Sequence, residues 1–248
     1  MIVIEKNDTK NLRGKTLIVG FPGMALVGKA TADFLISKMK LEEYVEFFPV
    51  QSPSSVIVMD GIIQPLSIKL YSSSSLQIAV LTASFQPQGE EAQTALAFDL
   101  SKKLVDLGFS KIISAAAYVS PEIKNGRKVF VAATNKEFID ELSKVGCVPM
   151  NGGISGLNGL IPALAEMYGI EGAVLLGETS EVYVASNVVD YMAVGEILRV
   201  LSSYLKFEID LEDLTSKAKD IDEKIKKAME KGFQEVAEEK EEQPSTHM

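Results

Sequence analysis

The segment Gly23-Met-Ala-Leu-Val-Gly28-Lys29-Ala30 has the spacing of a phosphate-binding loop. It follows an apolar run and opens a helical pattern, as that motif requires. In such a loop backbone N–H groups wrap phosphates, the lysine reaches them, and a hydroxyl after the lysine holds magnesium. Here Ala30 occupies the hydroxyl position and Thr31 comes one residue late. The interior Met24-Ala25-Leu26-Val27 is large and apolar, suited to burial rather than to a triphosphate. Val56-Ile-Val-Met-Asp60 has the form of a magnesium-binding strand end, but the loop it would serve is defective. The favoured reading is structural: Gly20, Gly23 and Gly28 let the chain turn sharply and a helix lie close on a sheet.

A second glycine cluster, Asn151-Gly-Gly153-Ile-Ser-Gly156-Leu-Asn-Gly159, could present N–H groups to an anion at a helix start. Glycines three apart equally make a smooth face for close packing, and that reading is preferred. Ser155 has no histidine to activate it. Glu178 follows a buried run, at the strand end where open α/β sheets place ligands. A charge emerging from a sheet edge is its plainer use. Glu178, Asp60 and lysines are the groups available for acid–base work. Glu90 and Glu91 suit the positive end of a helix dipole. The cleft candidates are therefore Gly23, Gly28, Lys29, Gly153, Gly156 and Glu178, with no catalytic residue, cofactor or metal expected.

Composition narrows the chemistry further. The one histidine among 248 residues is His247, so Ser-His-Asp, Cys-His and His-metal schemes are not expected. Cys147 is the single cysteine, which excludes an internal disulfide and a thiolate zinc site. It reads as a small buried hydrophobe. Only Arg13, Arg127 and Arg199 could form bidentate anion clamps. The net charge of −9 disfavours nucleic acid as a partner. No apolar run reaches the ~20 residues of a membrane helix. A cytoplasmic protein without nucleic-acid or membrane partners is expected.

The elements that would position these residues alternate. Leu17–Gly20, Lys111–Ala117, Val129–Ala132 and Ala173–Leu176 read as short buried strands. Ala25–Lys40, Glu90–Leu107, Lys136–Lys144, Pro162–Tyr168 and Val189–Leu205 read as helices. Gly108 is a C-terminal stop, and Pro162 is taken as a helix start. Tyr44–Val50 and Val56–Met59 read as β-rich runs. Leu66–Tyr71 and Leu76–Leu81 form a hairpin around Ser72–Ser75. The Val56–Leu81 section is expected to supply antiparallel pairs inside a mixed sheet. Short apolar strands between helices indicate an α/β sheet covered on both faces. Residues 1–205 are read as one domain, 206–232 as an amphipathic helix, and 233–248 as an acidic, disordered tail.

Apolar residues at Leu211, Leu214, Ala218, Ile221, Ile225 and Ala228 recur at steps of three and four, a heptad seam. Such a helix either packs on its own domain or pairs with another subunit. Leu211, Leu214, Ile221 and Ile225 are the candidate partner surface.

Three segments in order are similar to the PAC2 family, the proteasome assembly chaperone family, and especially to its archaeal members. They are Gly20-Phe-Pro-Gly23 through Gly28, Gly153-Ile-Ser-Gly156-Leu-Asn-Gly159-Leu, and Val174-Leu-Leu-Gly177-Glu-Thr179. The resemblance spans roughly Leu17 to Leu214. It implies a three-layer α/β/α sandwich with a mixed, mostly parallel sheet shaped like nucleoside phosphorylases, plus a C-terminal helix. It also implies homo-oligomers and docking on 20S proteasome α subunits. Some archaeal relatives end in a hydrophobic–tyrosine–any-residue tail that inserts between α subunits. This chain ends Thr246-His247-Met248, so that mode is not expected here. The expected function is a non-enzymatic, oligomeric proteasome assembly chaperone or adaptor. The alternative is a nucleotide- or nucleoside-binding protein or enzyme on a phosphorylase-like fold.

Overall fold

The structure is a computed structural model that describes residues 1–124 and 126–241, with side chains described as far as residue 227. In chain order the strands are β1 (Ile2–Glu5), β2 (Thr16–Gly20), β3 (Glu42–Phe48), β4 (Val56–Met59), β5 (Ile62–Pro65), β6 (Ile68–Ser72), β7 (Ile78–Ala83), β8 (Lys111–Val119), β9 (Val129–Ala133), β10 (Val148–Pro149) and β11 (Glu171–Thr179). The helices are α1 (Val27–Lys38), α2 (Glu90–Leu107), α3 (Lys136–Ser143), α4 (Leu157–Glu166), α5 (Glu181–Ala185), α6 (Tyr191–Leu205) and α7 (Glu212–Glu241).

Nine strands form one sheet in the order β1-β3-β6-β7-β2-β8-β11-β9-β10. Its centre is parallel: β7, β2, β8 and β11 run the same way. Antiparallel pairs flank that centre, β11 with β9 on one side and the β7-β6-β3-β1 ribbon on the other. Alternation along β2 shows why both faces need cover. Leu17 and Val19 enter the core under α2 and α4, while Ile18 enters the core under α1, α3 and α6. The result is the expected three-layer α/β/α arrangement.

Helix ends follow local chemistry. α2 begins at Glu90 and Glu91 and stops at Gly108, whose N–H donates to the Val105 carbonyl at 2.9 Å with φ of 79°. Asp190 caps α6 by accepting from the Ala193 N–H at 3.1 Å. The helix expected at Pro162 begins earlier, at Leu157, with Pro162 inside it. Its first N–H is satisfied from afar, by the Gln86 side chain.

Two expectations are corrected. Val56–Met59 is not part of the main sheet: β4 pairs only with β5, in a separate two-stranded hairpin. The heptad stripe does not face outward either. Leu214 and Ala218 are buried, and Leu211, Ile221 and Ile225 pack half-buried on the core beneath α1 and α6. The surface offered for a partner is thus occupied by the helix's own domain. α7 continues to Glu241, beyond the boundary expected at 232, and residues 242–248 of the expected tail lie outside the described residues.

Candidate functional site

The C-terminal ends of β2 and β8 and the starts of α1, α2 and α4 converge on a cleft of about 580 Å³. Gly23, Gly28, Gly153 and Gly156 all line it, so the two glycine clusters meet in space. Lys29 does not reach it: its ammonium pairs with Asp33 one turn along α1. Glu178 does not line it either. It is buried, and its Oε2 accepts the Lys128 N–H at 3.0 Å. The expectation that Glu178 emerges at a sheet edge fails because β11 lies inside the sheet, between β8 and β9.

The phosphate-loop spacing has a packing cause. A Cβ on Gly28 would sit 2.3 Å from the Ala115 carbonyl oxygen, and one on Gly20 would sit 2.2 Å from the Gly28 carbonyl oxygen. Only hydrogen fits where α1 crosses β2 and β8. The loop between, at Ala25 and Leu26, turns through left-handed φ values of 47° and 49°.

Two amides that the sequence reading did not single out tie the clusters together. Asn158 Oδ1 accepts the Phe21 N–H at 2.9 Å, and Asn158 Nδ2 donates to the Phe21 carbonyl at 3.1 Å. This closes a two-way clamp on one buried peptide. Gln86 Oε1 accepts the Leu157 N–H at 2.9 Å while its Nε2 donates to the Pro22 carbonyl. Gln86 sits just past the C-terminal end of β7, so the strand-end rule was the signal that could have found it. Gly23 and Gly153 are different from Gly28. Neither has a left-handed φ, and their only neighbour within 4 Å of an added Cβ is Asn158 Nδ2, 3.8 Å from Gly23. Both open onto the cleft.

The lining holds no carboxylate, amine, guanidinium, imidazole or thiol; its polar side chains are Gln86, Gln93, Asn151, Ser155, Asn158 and the Tyr118 phenol. These donate and accept hydrogen bonds but do not exchange protons near neutral pH. Among the described residues no cluster of three or more His, Cys, Asp or Glu could hold a metal. Cys147 packs in the core, and burial pushes its thiol up to about 12.

The strongest buried electrostatics lie elsewhere. Fully buried Asp190 accepts from Thr179 Oγ1 at 2.6 Å and pairs with Arg127 Nη2 at 2.8 Å. Burial pushes its carboxyl above the usual range, against the pull of Thr179, Arg127 and the α6 amides. Arg127 also stacks 5.2 Å over the Tyr183 ring, whose hydroxyl donates to Asp222 on α7. Burial and Asp222 push the Tyr183 phenol upward. The chain Asp190–Arg127–Tyr183–Asp222 therefore fastens α7 to the body, and no side chain in it enters the cleft.

An α/β/α scaffold with an uncharged cleft and a docked terminal helix is the class this geometry defines. The chain belongs to the PAC2 family, which matches residues 17–229. It is 28% identical over 234 residues to the uncharacterized protein MJ1210 of Methanocaldococcus jannaschii, covering 92% of this chain and 89% of that one. Its fold is similar to Pyrococcus furiosus PbaB, described as an archaeal proteasome activator, with a TM-score of 0.79, 22% identity, and coverage of 92% and 98%. Pyrococcus furiosus PbaA, described as an archaeal homolog of proteasome-assembly chaperone, gives 0.74 at 22% identity, covering 95% and 96%. Among the described residues no helix is long and apolar enough to cross a membrane.

Proposed function

We propose that this protein is a non-enzymatic, homo-oligomeric proteasome assembly chaperone or proteasome-associated adaptor of the cytoplasm, acting through protein–protein contacts on 20S α subunits. The family match over residues 17–229 carries this reading. A cleft lined by amides, glycines and apolar groups supports it, because such a lining orients and packs but does not move protons. No nucleic acid or membrane enters the scheme; the net charge of −9 opposes the first. The test is co-purification with 20S α subunits, followed by native mass spectrometry. A complex containing this chain and α subunits is the expected result. Failure to recover any α subunit, from extract or from purified components, removes the reading.

A second reading is favoured by one observation: Gly23 and Gly153 leave room in the cleft that neither backbone conformation nor packing demands. The uncharged lining suits a neutral ligand such as a nucleoside better than a nucleotide. Thermal shift against a nucleoside panel tests it. Stabilisation by several degrees, abolished by Gly153→Val, supports it, and a flat panel removes it.

A further inference from the structure

The hairpin β4–β5 is the part of the chain that the rest of the fold accounts for least. Its register places Val56, Val58 and Ile63 on one face and Ile57, Met59 and Ile62 on the other. All six are exposed, from 38% for Ile57 to 68% for Ile63. An antiparallel pair at a protein surface ordinarily hides one apolar face and shows water a polar one. This pair is apolar on both faces and covered on neither. Its turn, Asp60-Gly61 with φ of 49° and 79°, suits a tight twisted hairpin, so its register is set locally. A lone two-stranded hairpin is marginal in water.

We propose that a second copy of this chain covers the hairpin, making Val56–Pro65 a seam of the homo-oligomer. The inference rests on the oligomeric part of the proposed function and not on its proteasome part. Area comes first. The six side chains leave on the order of 600 Å² in water, at the top of what monomers tolerate in one patch. Two copies meeting there hide about 1,200 Å², the lower bound of a standard stable interface. Composition comes second. The hairpin carries one charge, Asp60 at its turn. A surface this apolar belongs with permanent self-contacts; surfaces that bind and release are about as polar as the rest of a protein.

The surroundings agree. A groove at the base of the hairpin joins Ile57, Gln64 and Pro65 to Lys6, Glu46 and Lys69. Those charges neutralise each other, Lys6 with Glu46 at 2.8 Å and Lys69 with Glu43 at 3.0 Å. They form a polar rim beside an apolar centre and leave no net field to select a charged partner. Lipid is a poor occupant, because the outer edges of both strands lack sheet partners and hydrocarbon cannot satisfy their N–H and C=O groups.

The experiment is the mass of the full-length protein in solution, by light scattering after size exclusion at micromolar concentration. Wild type is expected at a multiple of 26.9 kDa. Val58→Lys/Ile63→Glu charges one face with a cross-strand pair that preserves the hairpin, and Met59→Glu/Ile62→Lys does so on the other. Each is expected to raise the dissociation constant by more than about 100-fold, giving single chains with wild-type circular dichroism. Val58→Thr/Ile63→Thr keeps β-branching and serves if a charged variant fails to fold; its expected effect is about tenfold. Oligomers of unchanged mass in the folded variants overturn the proposal and leave the oligomeric reading intact. A monomeric wild type overturns both. A monomeric wild type whose α-subunit capture needs the hairpin assigns the surface to a client, and the proposal fails there too.

Discussion

The tightest spot in the fold gives the most direct test of how it is built. In Gly28→Ala the new methyl lies 2.3 Å from the Ala115 carbonyl oxygen, 3.1 Å from the Phe21 carbonyl oxygen and 3.0 Å from Asn158 Nδ2. Carbon contacts relax at about 3.5 Å, so α1 must rise about 1 Å off β8. The first obstacle is backbone in the centre of the sheet and cannot swing aside. Overpacking of this kind costs about 3 kcal/mol. Alanine's better helix propensity returns up to about 1 kcal/mol, leaving a loss of about 2 kcal/mol or more. At about 2–4 °C per kcal/mol for a chain of this length, the melting temperature should fall by at least about 4 °C. Gly153→Ala is the paired control: its methyl meets nothing within 4 Å and its φ is not left-handed. It should melt within about 2 °C of wild type. Calorimetry of the three proteins in one buffer decides it. A Gly28→Ala protein that melts with wild type would refute the close crossing of α1 over β8. A Gly153→Ala protein that loses as much as Gly28→Ala would refute the division of the glycines into packed and open.

Arg127→Met strands the fully buried Asp190 carboxylate and should cost about 3–5 kcal/mol, read as a lower urea midpoint at unchanged slope; a midpoint within error of wild type would show that the pair is not buried together. Tyr183→Phe removes the hydroxyl that holds Asp222 and should cost about 1 kcal/mol, with faster hydrogen exchange over residues 212–225 and unchanged exchange in α2. Equal acceleration in both helices would mean that the tyrosine supports the whole core instead. Cys147 stays protonated in the folded chain up to about 12, whereas an unfolded thiol ionises near 9.0. Its contribution to stability is therefore complete below about pH 9 and is lost as pH rises toward 12. Cys147→Ala should flatten that part of the pH–stability curve, and an aromatic disulfide reagent at pH 8 should label wild type only on unfolding. Prompt labelling of folded protein would contradict the burial.

Residues whose partners lie nearby in sequence were the legible ones. α2 was read to its ends because Glu90, Glu91 and Gly108 are local signals. The central strands were read because parallel strands covered on both faces are continuous apolar runs. α4 was misplaced because its start is capped by Gln86, 71 residues away, while Pro162 supplied a misleading local cue. The packing use of Gly20 and Gly28 was foreseen, but not that the glycine clusters share a cleft, which needs the topology. Arg127 and Asp190 have no spacing that links them. Val56–Met59 was drawn into the main sheet on the assumption that an apolar run hides within its own chain. Asp60-Gly61, a strong hairpin signal, marked it as a separate unit. The heptad stripe was the converse case: its period fits either a partner or its own domain, and only the tertiary packing decides.

The amide clamp also bears on how the molecule ages. Asn151-Gly152 and Asn158-Gly159 are both Asn–Gly pairs, the sequence most prone to lose ammonia through attack of the next backbone nitrogen on the side-chain amide. Asn158 is buried at the start of α4, its amide is held by Phe21, and the Gly159 nitrogen is committed to the Gly156 carbonyl at 3.1 Å. Asn151 stands exposed in the loop beside it. In stored or heated protein the peptide carrying residue 151 should gain its acid before the peptide carrying residue 158, placing the first fixed negative charge in a cleft that was built without one.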